Sequence, residues 1–178
     1  LDDLRQAIAS ERGMIEASSA LLRLSLAMDS GEPFAAALDD AESGSGIAAP
    51  AALRAAADQG LPRLSELSRA FAPLAREALP VALRETAGET FSARAGAFLQ
   101  GQIGGRSLEP REGDDPDAVL SRIQGAIDQD NLPLALQELD QLPASAQAVF
   151  AQWVAAVNSR LSAMAAYEEY RAAIGRAD

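Results

Sequence analysis

Histidine, cysteine and lysine are all missing from this 178-residue chain, and its 15 basic residues are all arginine. Without histidine the commonest general base and metal ligand is gone. Without cysteine there is no thiolate nucleophile, no disulfide and no thiolate zinc site. Without lysine there is no Schiff base, no Walker-type phosphate lysine and no Ser-Lys dyad. Chemistry is left to Asp/Glu, Ser/Thr, Tyr and Arg, which closes most familiar reaction classes. Aromatic residues make up only 4% of the chain, so a core has to be built from aliphatic side chains and a few rings. No run of about 18 apolar residues occurs, so the sequence carries no bilayer-spanning helix. The net charge of −11 argues against nucleic acid as a partner, because phosphate binding needs a basic footprint.

What is abundant is alanine, more than a fifth of the residues within a hydrophobic share of 48%. Alanine favours helix while burying little surface per residue, which predicts a thin core held by Leu and Phe anchors. Alanine and arginine without lysine also reflect a GC-rich genome. The apolar spacing is helical throughout, no alternating β pattern has useful length, and no long repeat occurs. The expectation is all-α: an irregular helical bundle with a long N-terminal helical arm and a C-terminal three-helix block.

Residues 1–29 read as one helix, the arm or the end of a coiled coil. Leu1, Leu4, Ile8, Ile15 and Leu22 fall on heptad a/d positions, with Glu11 and Ser18 interrupting the d row. A second row, Ala7, Met14, Leu21 and Met28, lies beside it. The wide face suits packing on a bundle, and the heptad remnant suits an upstream coiled coil. Such a face exceeds what an Ala-rich core covers, so Leu4, Ile8, Ile15 and Leu22 are candidates for self-association, as a dimer or an exchanged helix.

Residues 30–110 form a helical region. Gly31 ends the arm, and Pro33 opens a short helix with Phe34 and Leu38 inward. Glu42 to Gly46 reads as a flexible loop. An Ala-rich helix with Leu53 runs from Pro50 to Gln59. Pro62 opens another with Leu64, Leu67 and Phe71, kinked at Pro73 and ended or bent at Pro80. Residues 85–90 read as a loop, and a helix follows over 90–103. Between Phe91 and Arg106 there is no acidic residue. Phe91, Phe98, Leu99 and Ile103, flanked by Arg94 and Arg106, form an apolar stripe with a basic edge, the pattern of a helix on an anionic membrane. The other reading is an ordinary bundle helix with its rings in the core.

Residues 111–178 carry the clearest pattern. Asp115 can cap a helix with Pro116 in its first turn and Asp117 complementing the helix dipole. Val119, Leu120, Ile123 and Ile127 recur at helical spacing until Asp130-Asn131. A second helix is expected from Pro133 to Leu142 with Leu134, Leu136 and Leu139 apolar. Pro143 stops it, Ser145 can cap a long third helix over 145–174, and Phe150, Trp153, Val154, Val157, Leu161 and Met164 form its stripe. Of these, Phe150, Trp153, Val157 and Leu161 are the candidate core anchors.

Asp114, Asp115 and Asp117 read as a capping run rather than a cation site, and Asp128-Gln129-Asp130-Asn131 lacks the glycine and closing glutamate of an EF-hand. Glu168 and Glu169 read as a solvated face, though paired carboxylates leave open a hydrolase. The expectation is no catalytic residue, no metal and no cofactor.

The helix order of 112–174, with the phrase DNLPLALQELDQLP, resembles the C-terminal domain of bacterial mitofilins. Pro33-Phe34, Leu53, Phe71 and Phe91 to Leu99 match that family in order of features, although Gly104-Gly105-Arg106 is less basic than the family's segment there. The resemblance implies a non-enzymatic, membrane-shaping protein of the bacterial inner membrane. It implies an upstream transmembrane anchor and coiled coil, with this domain on the periplasmic side. The start at Leu1 fits a piece of such a longer protein. Its partners would be further copies of itself and an anionic membrane surface, with the helix 1–29 joining coiled coil to domain and standing as a second candidate for the membrane-binding element. The alternative is a helical adaptor that binds a protein or peptide, for example a partner helix, without lipid contact.

Overall fold

A computed structural model describes the backbone of residues 1–94 and 113–177, and the side chains of 1–86 and 113–177. The fold is all-α, with eight helices and no strand among the described residues. They are α1 (Asp2–Ser30), α2 (Ala35–Ser45), α3 (Ala51–Ala56), α4 (Leu64–Arg94), α5 (Pro116–Asp128), α6 (Leu132–Leu139), α7 (Ala144–Val149) and α8 (Ala151–Ala177). No described helix is long and apolar enough to cross a membrane. The chain forms two compact units, one of residues 1–63 and 156–178, the other of residues 64–155.

In the first unit α1, α2 and α3 and most of α8 surround a core of Leu24, Phe34, Leu38, Leu53, Tyr170 and Ile174 with small alanines between them. Gly31 closes α1 in the left-handed conformation, φ 76°, and its N–H reaches back to the Ala27 carbonyl, where a Cβ would be penalised. The α1–α2 crossing is close enough that a Cβ on Gly13 would stand 2.5 Å from the Gly44 carbonyl oxygen, and the reverse holds equally. Glu42 to Ser45, expected as a loop, is therefore helical. Gly44 serves as a contact point between helices, and the true break is Gly46 at φ 69°. Arg160 is 8% exposed and donates to the carbonyls of Met28 at 3.3 Å and Pro62 at 3.2 Å, with Asp29 at 3.8 Å. Its guanidinium satisfies main-chain acceptors that burial takes from water.

The second unit packs α4 to α7 and the first turn of α8. Phe71, Phe150 and Trp153 form its aromatic centre, with ring centroids 5.4 to 6.4 Å apart. The Trp153 indole N–H donates to the Leu67 carbonyl at 2.9 Å. Asp115 caps α5 by accepting from the Ala118 N–H at 3.1 Å, with Pro116 in the first turn. Arg122 on α5 reaches Glu138 on α6 at 2.9 Å and the Gly113 carbonyl at 2.7 Å, which ties the α5–α6 hairpin to the turn before it.

Several element boundaries differ from the sequence reading. α4 runs unbroken through Pro73, Pro80 and the expected loop 85–90. Both prolines lie on the solvent side, and the carbonyls they free, on exposed Arg69 and Arg76, can be hydrated, so interruption costs little. α6 starts one residue early because Asn131 caps it, its side chain accepting from the Leu134 N–H at 3.1 Å. That start points Leu132 inward and leaves Leu134 exposed. The expected long helix 145–174 is two helices, broken at Phe150. Pro143 rather than Ser145 occupies the cap position, and the Ser145 hydroxyl bonds Glu85 instead. The longest helices are α4 and α1 at 31 and 29 residues. The expected helix 90–103 lies outside the described residues beyond Arg94.

A candidate interaction surface on the first helix

α1 presents two apolar faces. At about 100° of rotation per residue, Met14, Ala17, Leu21, Leu24 and Met28 point to one side, and these pack into the core or against it. Leu1, Leu4, Ile8, Ile15, Leu22 and Leu26 fall within a sector of about 60° on the opposite side. Leu1 is 93% exposed and the other five are 57 to 66% exposed. The heptad row seen in the sequence is thus the outer face, while the neighbouring Met14-Leu21-Met28 row does the bundle packing. Leu26, missed in the sequence because it breaks the seven-residue interval, completes the stripe by following Leu22 at a spacing of four. Residues 1–12 are exposed on all sides, so the first three turns stand clear of the core.

Charge borders one edge of this stripe. Arg5 pairs with Asp2 at 3.1 Å, Arg12 with Glu16 at 3.1 Å, and Arg23 with Asp40 of α2 at 2.7 Å. All are well exposed, so each contributes little stability. Between α1 and α2 an open cleft of about 740 Å³ is lined by Arg12, Glu16, Arg23 and Asp40 together with Gly13 and Gly44. A second groove, of about 370 Å³, lies between α1 and α8 and is more apolar, with Met14, Leu21, Leu22, Tyr167 and Ile174 along it and Arg171 at the rim. Tyr167 fixes one wall by donating to the Leu21 carbonyl at 3.2 Å. Arg54 of α3 bonds Asp39 and Glu42 of α2. The hydrogen bond it donates to Asp39 is the main reason its guanidinium is held charged beyond its ordinary range.

The other candidate residues are placed as follows. Phe150, Trp153 and Val157 are buried and Leu161 is half-buried. Met164, expected in the same stripe, is largely exposed, because the inward positions of this part of α8 are Arg160, Ala163, Ala166 and Tyr170. Leu4, Ile8, Ile15 and Leu22 are together on one solvent-facing stripe. Phe98, Leu99, Ile103 and Arg106 lie outside the described residues, as do the side chains of Phe91 and Arg94. Glu168 is bonded to Arg171 at 2.7 Å, and among the described residues no group of three acidic side chains could hold a metal ion.

No family model, curated protein or solved structure matches the chain. A monomer seldom leaves so long an apolar strip in water, and strips of this kind mark contact surfaces.

Proposed function

We propose that the chain is a non-enzymatic scaffold domain that organises membranes, as its resemblance to bacterial mitofilins implies. It acts by self-association and by contact with an anionic membrane surface, as the periplasmic part of an inner-membrane protein anchored upstream. The observation that carries this reading is the solvent-facing stripe of six large apolar residues on α1. Membrane contact is assigned to the acid-free stretch with Phe91, Arg94, Phe98, Leu99, Ile103 and Arg106, or to the first helix. Two arginines near an anionic surface supply about 1 kcal/mol each. The acidic remainder of the chain opposes the approach, so binding depends on several copies acting together.

Co-sedimentation with phosphatidylcholine vesicles rich in phosphatidylglycerol tests the membrane part. The wild-type chain is expected to pellet weakly, to release as salt rises because exposed charges are screened, and to lose binding on Phe98→Asp. A wild-type chain that stays in the supernatant at low salt refutes membrane contact by this domain. A helical adaptor is then the better account, and the apolar α1–α8 groove with Arg171 at its rim favours a helical peptide as its ligand.

A further inference from the structure

The outer stripe of α1 has an internal symmetry. Leu4 and Leu26 lie eleven residues to either side of Ile15, and Ile8 and Leu22 lie seven to either side. We infer that α1 pairs with α1 of a second copy in antiparallel orientation, on a two-fold axis passing at Ile15. This deepens the self-association part of the proposed function and rests on it.

In that arrangement Ile15 meets its own counterpart, Ile8 meets Leu22 of the other copy, and Leu4 meets Leu26. These five positions are filled from both sides, while Leu1, beyond them, comes level with Asp29. The polar positions between layers are complementary in size: the long side chains of Glu11 and Arg12 come level with the small Ser18 and Ser19. A parallel, in-register pair matches like with like whatever the spacing, so it gives no reason for the interval to be mirror-symmetric. An antiparallel pair requires that symmetry, as does any isologous contact built on one helix crossed by a two-fold axis.

The rest of the unit is compatible with the same orientation. The core-packing residues of α1 begin at Met14 and face away from the stripe. An antiparallel partner therefore lays its bare turns, residues 1–12, along the half of α1 that its neighbour's core supports. Leu4 and Ile8 are then covered by Leu26 and Leu22, with the Leu22–Tyr167 groove alongside. A parallel pair instead leaves two bare segments of twelve residues against each other, a length at which unsupported helix is marginal. The five symmetric residues expose roughly 500 Å² per copy, so a pair removes at most about 1,000 Å² of their surface from water, the lower bound for a specific interface. The expected complex is a reversible dimer rather than an obligate one.

The natural absence of cysteine makes the test direct. Wild-type protein is expected to show a dimer mass by light scattering that falls toward the monomer on dilution. Ile15→Asp places two carboxylates at the axis and is expected to halve the mass. Its circular dichroism should be unchanged, since Ile15 makes no core contact. Leu4→Cys and Leu26→Cys variants, mixed and oxidised, are expected to give a disulfide-linked pair of one of each, with Leu4→Cys alone remaining uncrosslinked. Efficient Leu4–Leu4 crosslinking with a dimer mass overturns the antiparallel pairing while leaving self-association standing. A wild-type chain that is monomeric at all concentrations overturns both, including the case in which Ile15→Asp instead weakens vesicle binding. An Ile15→Asp variant that remains dimeric places the contact elsewhere and also overturns the inference.

Discussion

Truncating Trp153 to alanine tests the packing of the second unit most severely. The indole is 4% exposed, stands 5.6 Å from the Phe71 ring and 6.4 Å from that of Phe150, and bonds the Leu67 carbonyl at 2.9 Å. Removing it withdraws roughly 150 Å² of apolar surface, worth about 4 kcal/mol at the usual transfer coefficient. The two ring contacts add about 0.5–1.5 kcal/mol each, and inward movement of Phe71 and Phe150 recovers part of the sum. The expected cost is about 3–5 kcal/mol. Trp153→Phe keeps a ring and loses mainly the hydrogen bond. The Leu67 carbonyl sits inside α4, where the N–H four residues on also serves it, so no acceptor is orphaned and the cost should be about 1 kcal/mol. Urea unfolding followed by far-ultraviolet circular dichroism measures both. A Trp153→Ala cost below about 1 kcal/mol, or equal costs for the two variants, would refute this account of the cluster.

Two further outcomes follow from the first unit. Gly13→Ala should destabilise by about 1–3 kcal/mol in urea despite alanine's better helix propensity, because its Cβ meets the Gly44 carbonyl, whereas Gly175→Ala, with nothing within 4 Å, should be neutral or stabilising by up to about 1 kcal/mol. Burial raises the Tyr170 phenol above its ordinary range, only partly countered by the Ser45 hydroxyl. The folded state then keeps this proton after the unfolded chain loses it near pH ~10, so stability is full below that pH and falls as pH rises further. Tyr170→Phe should flatten that alkaline fall while costing about 1 kcal/mol at neutral pH through the lost bond to the Ile47 carbonyl; equal alkaline slopes would contradict the assignment.

Helix existence was legible wherever a cap or an anchor spoke locally. The Asp115-Pro116 start, the Gly31 stop and the inward Phe34, Phe71 and Trp153 all follow from short-range chemistry. What was not legible depended on surroundings. Gly44 within Glu42 to Gly46 has loop composition, yet it is helical because α1 offers Gly13 at the same level. Pro73 and Pro80 spell a break, yet both face water where an unpaired carbonyl costs little. Phe150 lies within an apolar periodicity that continues across it, so the end of α7 leaves no local mark. On α1 the composition revealed two apolar rows but not which one the core takes. Small Ala17 favours that side, since it permits the close approach of α2 at Gly44. Leu26 escaped notice because it belongs to the stripe by angle rather than by heptad interval.

The sorting of aromatic residues between the two units has an optical consequence. The chain's one tryptophan, Trp153, belongs to the second unit, and both tyrosines, Tyr167 and Tyr170, belong to the first. Excitation at the red edge of the absorption band therefore reports on one unit, and tyrosine absorbance reports on the other, without any label. Superimposable unfolding curves from the two signals would mean that the units melt as one cooperative body; separated curves would give each its own midpoint. The unmodified chain thus carries an internal measure of how strongly its halves are coupled.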